Sequence, residues 1–549
     1  MKDQQMITLP HLTNDVVRQA KKTKLCAYSV ALEGWRRGLN LKWYTKDSEH
    51  FQDMVIFGVN PPGRLFSLSS GEHTHYFFRT RGDKVTNEAV EIGSDKDETK
   101  RYLLNQDVPC PIGKLFNGEH SDEDVVQQAS EEIQYPLVIK PVDGSLGNGV
   151  ITNIRNDEEL YHALNYVRSE LGYQDIIAER YITGEEYRVY VIEDQVVAAY
   201  NRVPANVVGD GEHTIEQLIN RKNKERRKNA RLHSCLIEVD IEITEFIEKA
   251  GYNYDSIPEE GELIYLREKT NVSSGGDPID VTDTIPTEIK EVAVKSLKAV
   301  PGLYHGGVDI IYDENTGIPP VVIELNPTAQ IGGILYPSEG KARDIPKAIV
   351  DYYFPETKGI DTSKSKVYFD LNAVLEPLTD RSAVEVEVSD APDGKLYARK
   401  YTLKGRVRRN SFHQWMKEQA QSLGLHGYVQ RSLKDEVEVV VAGTSREKVR
   451  EFRELLNNPP KKVKIRQIES DRYEDPIKIG FEIDEPYNPK SFKSLGSAIY
   501  NMERELHKSQ KRKDKLEKEI DKIVNSTSWR TTGRIRYVSN RVKGTIKSR

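Results

Sequence analysis

Apolar and polar positions follow several different periods along the chain. Short apolar runs at 53–59 and 75–78, the turn signal Pro61-Pro62-Gly63 and a helical stretch at 27–38 predict a small α/β unit over residues 1–92. From 94 to about 353, strand patterns alternate with helical ones: strand 136–139, helix 157–171, then strands 176–179, 188–192 and 195–200. That is α+β or α/β material, too long for one simple core, and its expected bounds are 93–355. Residues 356–391 are polar with some β character and are expected to be a linker. A third block, 392–485, reads strand–helix–strand–strand–helix–strand at 396–407, 412–423, 428–429, 436–442, 446–456 and 463–468, the order of a split β-α-β unit. At the end, Ile499, Met502, Leu506, Leu516, Ile520 and Ile523 keep a 3-4 spacing interrupted by Ser509 and Lys513. This predicts a short coiled coil within a helical tail at 490–549, with a single amphipathic helix as the alternative.

Composition sharpens this picture in two places. The 549 residues suit about three to five domains, and 37% hydrophobic against 30% charged residues can bury several cores. The formal net charge of −6 argues against a chain that coats nucleic acid throughout. That charge is uneven: residues 501–549 carry +9 and the preceding 500 carry −15. Cys26, Cys110 and Cys235 are odd in number, widely spaced and without a C-x-x-C pair, which excludes a disulfide framework or zinc ribbon. The first residues have no apolar signal core, and no apolar run approaches about 18 residues, so a soluble cytoplasmic protein without a transmembrane segment is expected.

The densest local chemistry begins at a strand ending in Lys140, followed by Gly144, Ser145, Gly147 and Gly149. Closely spaced glycines let backbone N–H groups approach an anion, and the strand-anchored lysine adds a fixed positive charge. An ordinary flexible turn has the same composition, and no Gly-Lys-Ser/Thr of a Walker loop closes it. Far downstream, two apolar strands carry Asp309, Glu324 and Asn326. Glu324 and Asn326 are two apart on a strand and share a face. With Asp309 they suit a hard, oxygen-liganded cation such as Mg²⁺, or else the polar side of a half-buried sheet. A phosphate cradle and a divalent-metal strand pair in one α/β domain point to nucleotide triphosphate chemistry.

Residues 94 to about 350 resemble the ATP-grasp superfamily, in its cyanophycin synthetase and bifunctional glutathione synthetase branch. The resemblance is carried by Ser94-Asp-Lys-Asp-Glu-Thr-Lys100, Val108-Pro-Cys-Pro111, the loop at 140–149, Glu179-Arg-Tyr-Ile-Thr-Gly-Glu-Glu-Tyr-Arg188 and the stretch 202–214. Asn271-Val-Ser-Ser-Gly-Gly276, Ile279-Asp-Val-Thr-Asp283 and Glu324-Leu-Asn326 extend it. The resemblance implies that Lys96 and Lys140 contact ATP phosphates under a lid spanning 144–149. Glu179, Tyr181 and Ile182 would line the adenine slot and Glu186 would hold the ribose. Asp309, Glu324 and Asn326 would bind two Mg²⁺ ions, with Mn²⁺ as a substitute, and Arg267 and Asn271 would lie near the reacting carboxylate. The implied activity is a carbon–nitrogen ligase. A carboxylate takes the γ-phosphoryl group to form an acyl phosphate and ADP, and an amine, from an amino acid or peptide, then displaces phosphate. The basic run at 223–232 is a solvated helix face or an attractor of anionic substrate.

The third block resembles acylphosphatase, which implies a ferredoxin-like βαββαβ fold. His413 and Arg431 stand where that family has its phosphate-loop arginine and water-orienting asparagine, and Arg409, Asn410 and Ser411 replace loop glycines. The fold is expected and the hydrolase activity is not. Two other functions stay open here: an acyl-phosphate hydrolase, and a nucleotide-sensing assembly protein docking through its tail. A homo-oligomer formed through the body or the coiled coil is expected, with the basic tail meeting an anionic surface or polymer.

Overall fold

A computed structural model describes residues 7–57, 62–142, 149–407, 409–431 and 436–484. The expected coiled coil and basic tail lie outside these residues, as do Gly144, Ser145, Gly147 and the side chain of Arg431.

The N-terminal unit is an antiparallel sheet of β1 (Asn40–Tyr44), β2 (Leu65–Ser69), β3 (Thr74–Phe78) and β4 (Arg81–Gly82), packed under the helix Lys24–Arg36. That helix buries nearly every side chain, including Tyr28, Leu32 and Trp35, because both of its sides are covered. The apolar run at 53–59 forms no strand through residue 57. The segment 356–391, expected as a linker, instead closes this unit. Its strand Glu385–Val388 pairs antiparallel with β1, and Phe369 packs edge-on against Tyr28 and Trp35 at ring distances of 5.1 and 5.4 Å. Its polar look follows from an edge strand whose glutamates face solvent, Glu387 accepting from Asn40 at 2.7 Å.

A four-stranded sheet follows, in the order β5 (Gly113–Phe116), β8 (Ile176–Arg180), β6 (Leu137–Pro141), β7 (Ile151–Ile154). The helices Asp122–Gln128 and Asp157–Leu164 fill its core with Val125, Leu160 and Leu164. The central sheet is built from β9 (Glu185–Ile192) and β10 (Gln195–Val203). After a two-stranded ribbon, β11 (Asn206–Val208) with β12 (Leu263–Tyr265), come β13 (Asp277–Asp280), β14 (His305–Tyr312) and β15 (Val321–Asn326). The order across it is β13-β10-β9-β14-β15, antiparallel throughout.

Alternation along β9 fixes the layers. Tyr187, Val189 and Val191 join a core with the helices Thr287–Ala299 and Asn87–Ser94. Tyr190 and Ile192 point the other way, into the core of the N-terminal unit. Arg188 therefore lies on the face that looks toward the N-terminal unit.

The C-terminal sheet runs Lys464–Arg472, Tyr397–Arg406, Glu436–Gly443, His426–Arg431, Phe481–Asp484, with the helices Asn410–Ser422 and Arg446–Leu455 packing Phe412, Met416, Val449 and Phe452 into its core. The first four strands have the split β-α-β order. The fifth, parallel to His426–Arg431, is an addition. Ile477–Lys478 pairs with Val367–Tyr368, and Lys478 reaches Asp370 at 2.9 Å, tying this domain to the N-terminal unit.

Two outcomes follow. Phe369→Ala should cost about 3–5 kcal/mol, read by urea denaturation, because it empties the seat between Tyr28 and Trp35. His305, fully buried between Tyr190 Oη (3.1 Å) and Tyr353 Oη (3.0 Å), is pushed down to about 3 by burial and secondarily by Arg81. The unfolded imidazole takes a proton near pH 6.5 and the folded one does not, so this group's stability is complete above that pH and is lost as pH falls toward 3. Between pH 6 and 4 the parent should lose about 1.4 kcal/mol per pH unit more than His305→Gln, measured by urea midpoints.

Candidate functional site

Three strands of the central sheet bring charge into one row. Arg188 on β9 sits directly opposite Asp309 on β14, and Asp309 directly opposite Glu324 on β15. Arg188 donates from Nε and NH2 to the two Asp309 oxygens at 2.6 and 2.5 Å. Arg202, from β10, donates to Glu186 at 2.5 Å and to Asp309 at 3.1 Å, and Thr270 holds the other Glu186 oxygen. Burial alone would raise the Asp309 carboxyl, but the two guanidiniums overcome it and hold it below its ordinary value. Glu324 goes the other way. It opens to solvent but is crowded by the walls of a cleft, so desolvation and then the Asp309 charge raise its pKa.

Two carboxylates facing each other across a ladder repel, and a cation between them removes the penalty. Asn326, opposite Gly307, turns its Nδ2 toward Asp309 at 3.5 Å, which leaves its Oδ1 as a third hard donor. Among the described residues no group of three His, Cys, Asp or Glu side chains forms a metal cluster; this set is two carboxylates and an amide. Its donors are those Mg²⁺ prefers when phosphate and water complete the shell.

The opposing wall belongs to the four-stranded sheet. Lys140 on β6 forms an ion pair with Glu179 on β8, and Lys100 approaches the same carboxylate at 3.7 Å. Gly113 makes room for this, since a Cβ there would lie 2.5 Å from the Glu179 side chain. Asp95 caps the helix Lys96–Leu104, accepting from Asp97 and Glu98 N–H at 2.9 Å each. That cap puts Lys96 at the first turn and Lys100 one turn on, along one face. Lys96 Nζ lies 3.4 Å from the Val142 carbonyl at the end of β6, and its charge acts on Glu324 across the cleft. Lys96 thus connects the two walls. Tyr181 bonds Glu268 at 3.1 Å and, with Ile182, is half-buried at the junction of the sheets.

One expected residue is engaged elsewhere. Arg267 is buried and committed to Asp240 and Glu242 at 2.9 and 2.7 Å, so it has no free guanidinium to offer a substrate. The Asn271 backbone carbonyl accepts from Ser274 and Gly276 at 3.0 and 3.1 Å, next to Thr270, which holds Glu186. Conversely, Lys100, Arg188 and Arg202 were given no role from the sequence, although all three end or begin motifs that had been singled out.

Residues 93–216 match the family model of the RimK-like ATP-grasp domain. The chain carries an ATP-grasp domain. Residues 399–483 match the acylphosphatase family model. The ATP-grasp region is similar to the cyanophycin synthetase of Trichormus variabilis, 33% identical over 297 residues, or 53% of this chain and 32% of that one. It is also similar to the glutathione biosynthesis bifunctional protein GshAB of Clostridium perfringens, 36% identical over 309 residues, or 53% and 38% of the two chains. This chain thus spans about a third of the length of the curated relatives it matches. Among solved structures, a bifunctional glutathione synthetase from Pasteurella multocida aligns at 28% identity over 53% of this chain and 40% of its own, TM-score 0.42. An acylphosphatase from Coxiella burnetii aligns at 20% identity over 16% and 93%, TM-score 0.16.

Arg188→Gln leaves the buried Asp309 with Arg202 as its one charged partner among the described residues, beside the Asn326 amide. It should destabilise the ATP-grasp domain by about 3 kcal/mol, read by chemical denaturation, with Arg188→Lys losing less.

Proposed function

We propose that the chain is an ATP- and Mg²⁺-dependent carboxylate–amine ligase that forms an amide through an acyl phosphate and releases ADP and phosphate. The observation that carries this is the Arg188–Asp309–Glu324 row facing a lysine-bearing sheet across one cleft, within an ATP-grasp domain. Glu179, Tyr181 and Ile182 line the adenine slot in this proposal, and Glu186 takes the ribose. Lys96 and Lys140 hold the phosphates, with 144–149 as their cover.

Asp309, Glu324 and Asn326 would hold two Mg²⁺ ions, which neutralise phosphate charge and draw electrons from the γ-phosphorus. The chain's own groups do the rest. Lys140 exchanges its Glu179 partner for a phosphate oxygen, and Lys96 spans the walls to the strand that carries Glu324. Arg188 keeps Asp309 ionised and aimed, so the donor set is in place before nucleotide arrives. The transfer joins two anions, so positive charge and dry walls are the catalytic requirement, and no side-chain nucleophile is needed.

The relatives' names suggest an amino acid or peptide acceptor. No helix of the described residues is long and apolar enough to cross a membrane. The acylphosphatase-like domain is proposed to be catalytically silent. His413, in place of the family's arginine, is buried on the helix Asn410–Ser422 and does not reach the surface. Tail-mediated oligomerisation and docking on an anionic surface belong to the same proposal.

Lys140→Ala should lower ATP turnover by about 10²–10³-fold in a coupled ADP-release assay over amino acids and peptides. The nucleotide product should be ADP, since attack at the γ-phosphorus leaves the α,β bridge intact. AMP as the product would overturn the acyl-phosphate route.

A further inference from the structure

Beyond Asn326 the chain leaves β15 and passes beneath a group of cations drawn from the N-terminal unit and the 229–234 turn. Thr80 donates to the Ala329 carbonyl at 2.9 Å, which fixes its neighbour Arg79 three residues past the metal strand. Arg79 adopts φ +60, an uncommon conformation for a long side chain, and its amide donates to the Arg64 carbonyl at 2.8 Å. Arg231 stretches across Gly332, where a Cβ would lie 2.6 Å from its Cδ, and reaches Gln330 at 3.4 Å and Cys235 Sγ at 2.8 Å. Lys24 passes Gly63, where a Cβ would lie 3.2 Å from its Cδ. The buried Cys26 thiol feels both Arg79 and Arg231, which places those two guanidiniums around one point.

No described carboxylate pairs with Lys24, Arg79 or Arg231, and the Arg79 Nε is buried without a hydrogen bond. Burial, and then Arg64, lower both Lys24 and Arg79, and no carboxylate appears among the charges acting on them. The basic run at 223–232 has spent its other buried charge, because Arg226 is paired with Asp277 at 2.5 Å. Like charges gathered beside a metal strand, one of them held in an uncommon backbone conformation, cost stability that a multiply charged anion would restore. An amino acid's ammonium group would be repelled here, since no carboxylate faces it among the described residues.

We propose that Lys24, Arg79 and Arg231 bind the carboxylate substrate of the ligase, and that this substrate presents at least two carboxylates and no ammonium to them. The inference rests on the ligase reading above and names its substrate class.

The test uses the full chain with Mg²⁺ and a non-hydrolysable ATP analogue, titrated calorimetrically with propionate, succinate and tricarballylate. Affinity should rise with each added carboxylate and weaken at high potassium chloride, a result that needs no variant. Arg79→Gln with Arg231→Gln should weaken tricarballylate about tenfold or more while nucleotide affinity stays unchanged; Arg79→Lys with Arg231→Lys should retain most of it. Propionate binding as tightly as tricarballylate, absence of binding by all three, or a double glutamine variant with parental affinity would each overturn the proposal. Loss of nucleotide binding in the parent chain would instead sink the ligase reading, and tricarballylate binding without nucleotide would still decide the anion site.

Discussion

The bidentate pair between Arg188 and Asp309 is the constraint on which the rest of the molecule turns. A carboxylate this buried is tolerable only with a guanidinium clamped to it. The clamp sits in the middle of five strands, so the register of β9, β10, β14 and β15 is coupled to it. Slipping β9, β14 or β15 by one residue would put a charge into the apolar layer behind the sheet and an apolar side chain on the charged face.

From that row outward, each wall is positioned by something ordinary. A helix cap sets Lys96 and Lys100, a glycine lets Glu179 sit between two lysines, and a threonine ties the N-terminal unit to the loop after β15. Lys100 and Lys140 share the single Glu179 carboxylate, which leaves this wall with net positive charge.

Much of this was legible in the residues because it is local. The alternation along β9 and β10 and the Glu324–Asn326 pair are patterns of period two, readable within a dozen positions. What escaped was assembled from afar. Arg188 looks like any outward-facing charge on an alternating strand until its neighbour across the sheet is known to be Asp309. Arg267 seemed free until the turn at 238–242 wrapped it. Residues 356–391 looked like a linker since their partners, Tyr28, Trp35 and β1, are the earliest parts of the chain.

That last arrangement has a consequence for how the protein is made. A ribosome extrudes β1 with one side unpaired, then must deliver the whole ATP-grasp region and the helix Ile345–Tyr353 before the strand Glu385–Val388 emerges to cover it. Through most of synthesis the first domain is an open half with an exposed edge and an uncovered aromatic seat, the kind of surface that recruits chaperones or wrong partners. The nucleotide-binding body is in effect an insertion that finishes before its host does. Pausing or truncating translation just short of residue 385 would therefore injure the beginning of the protein more than its end.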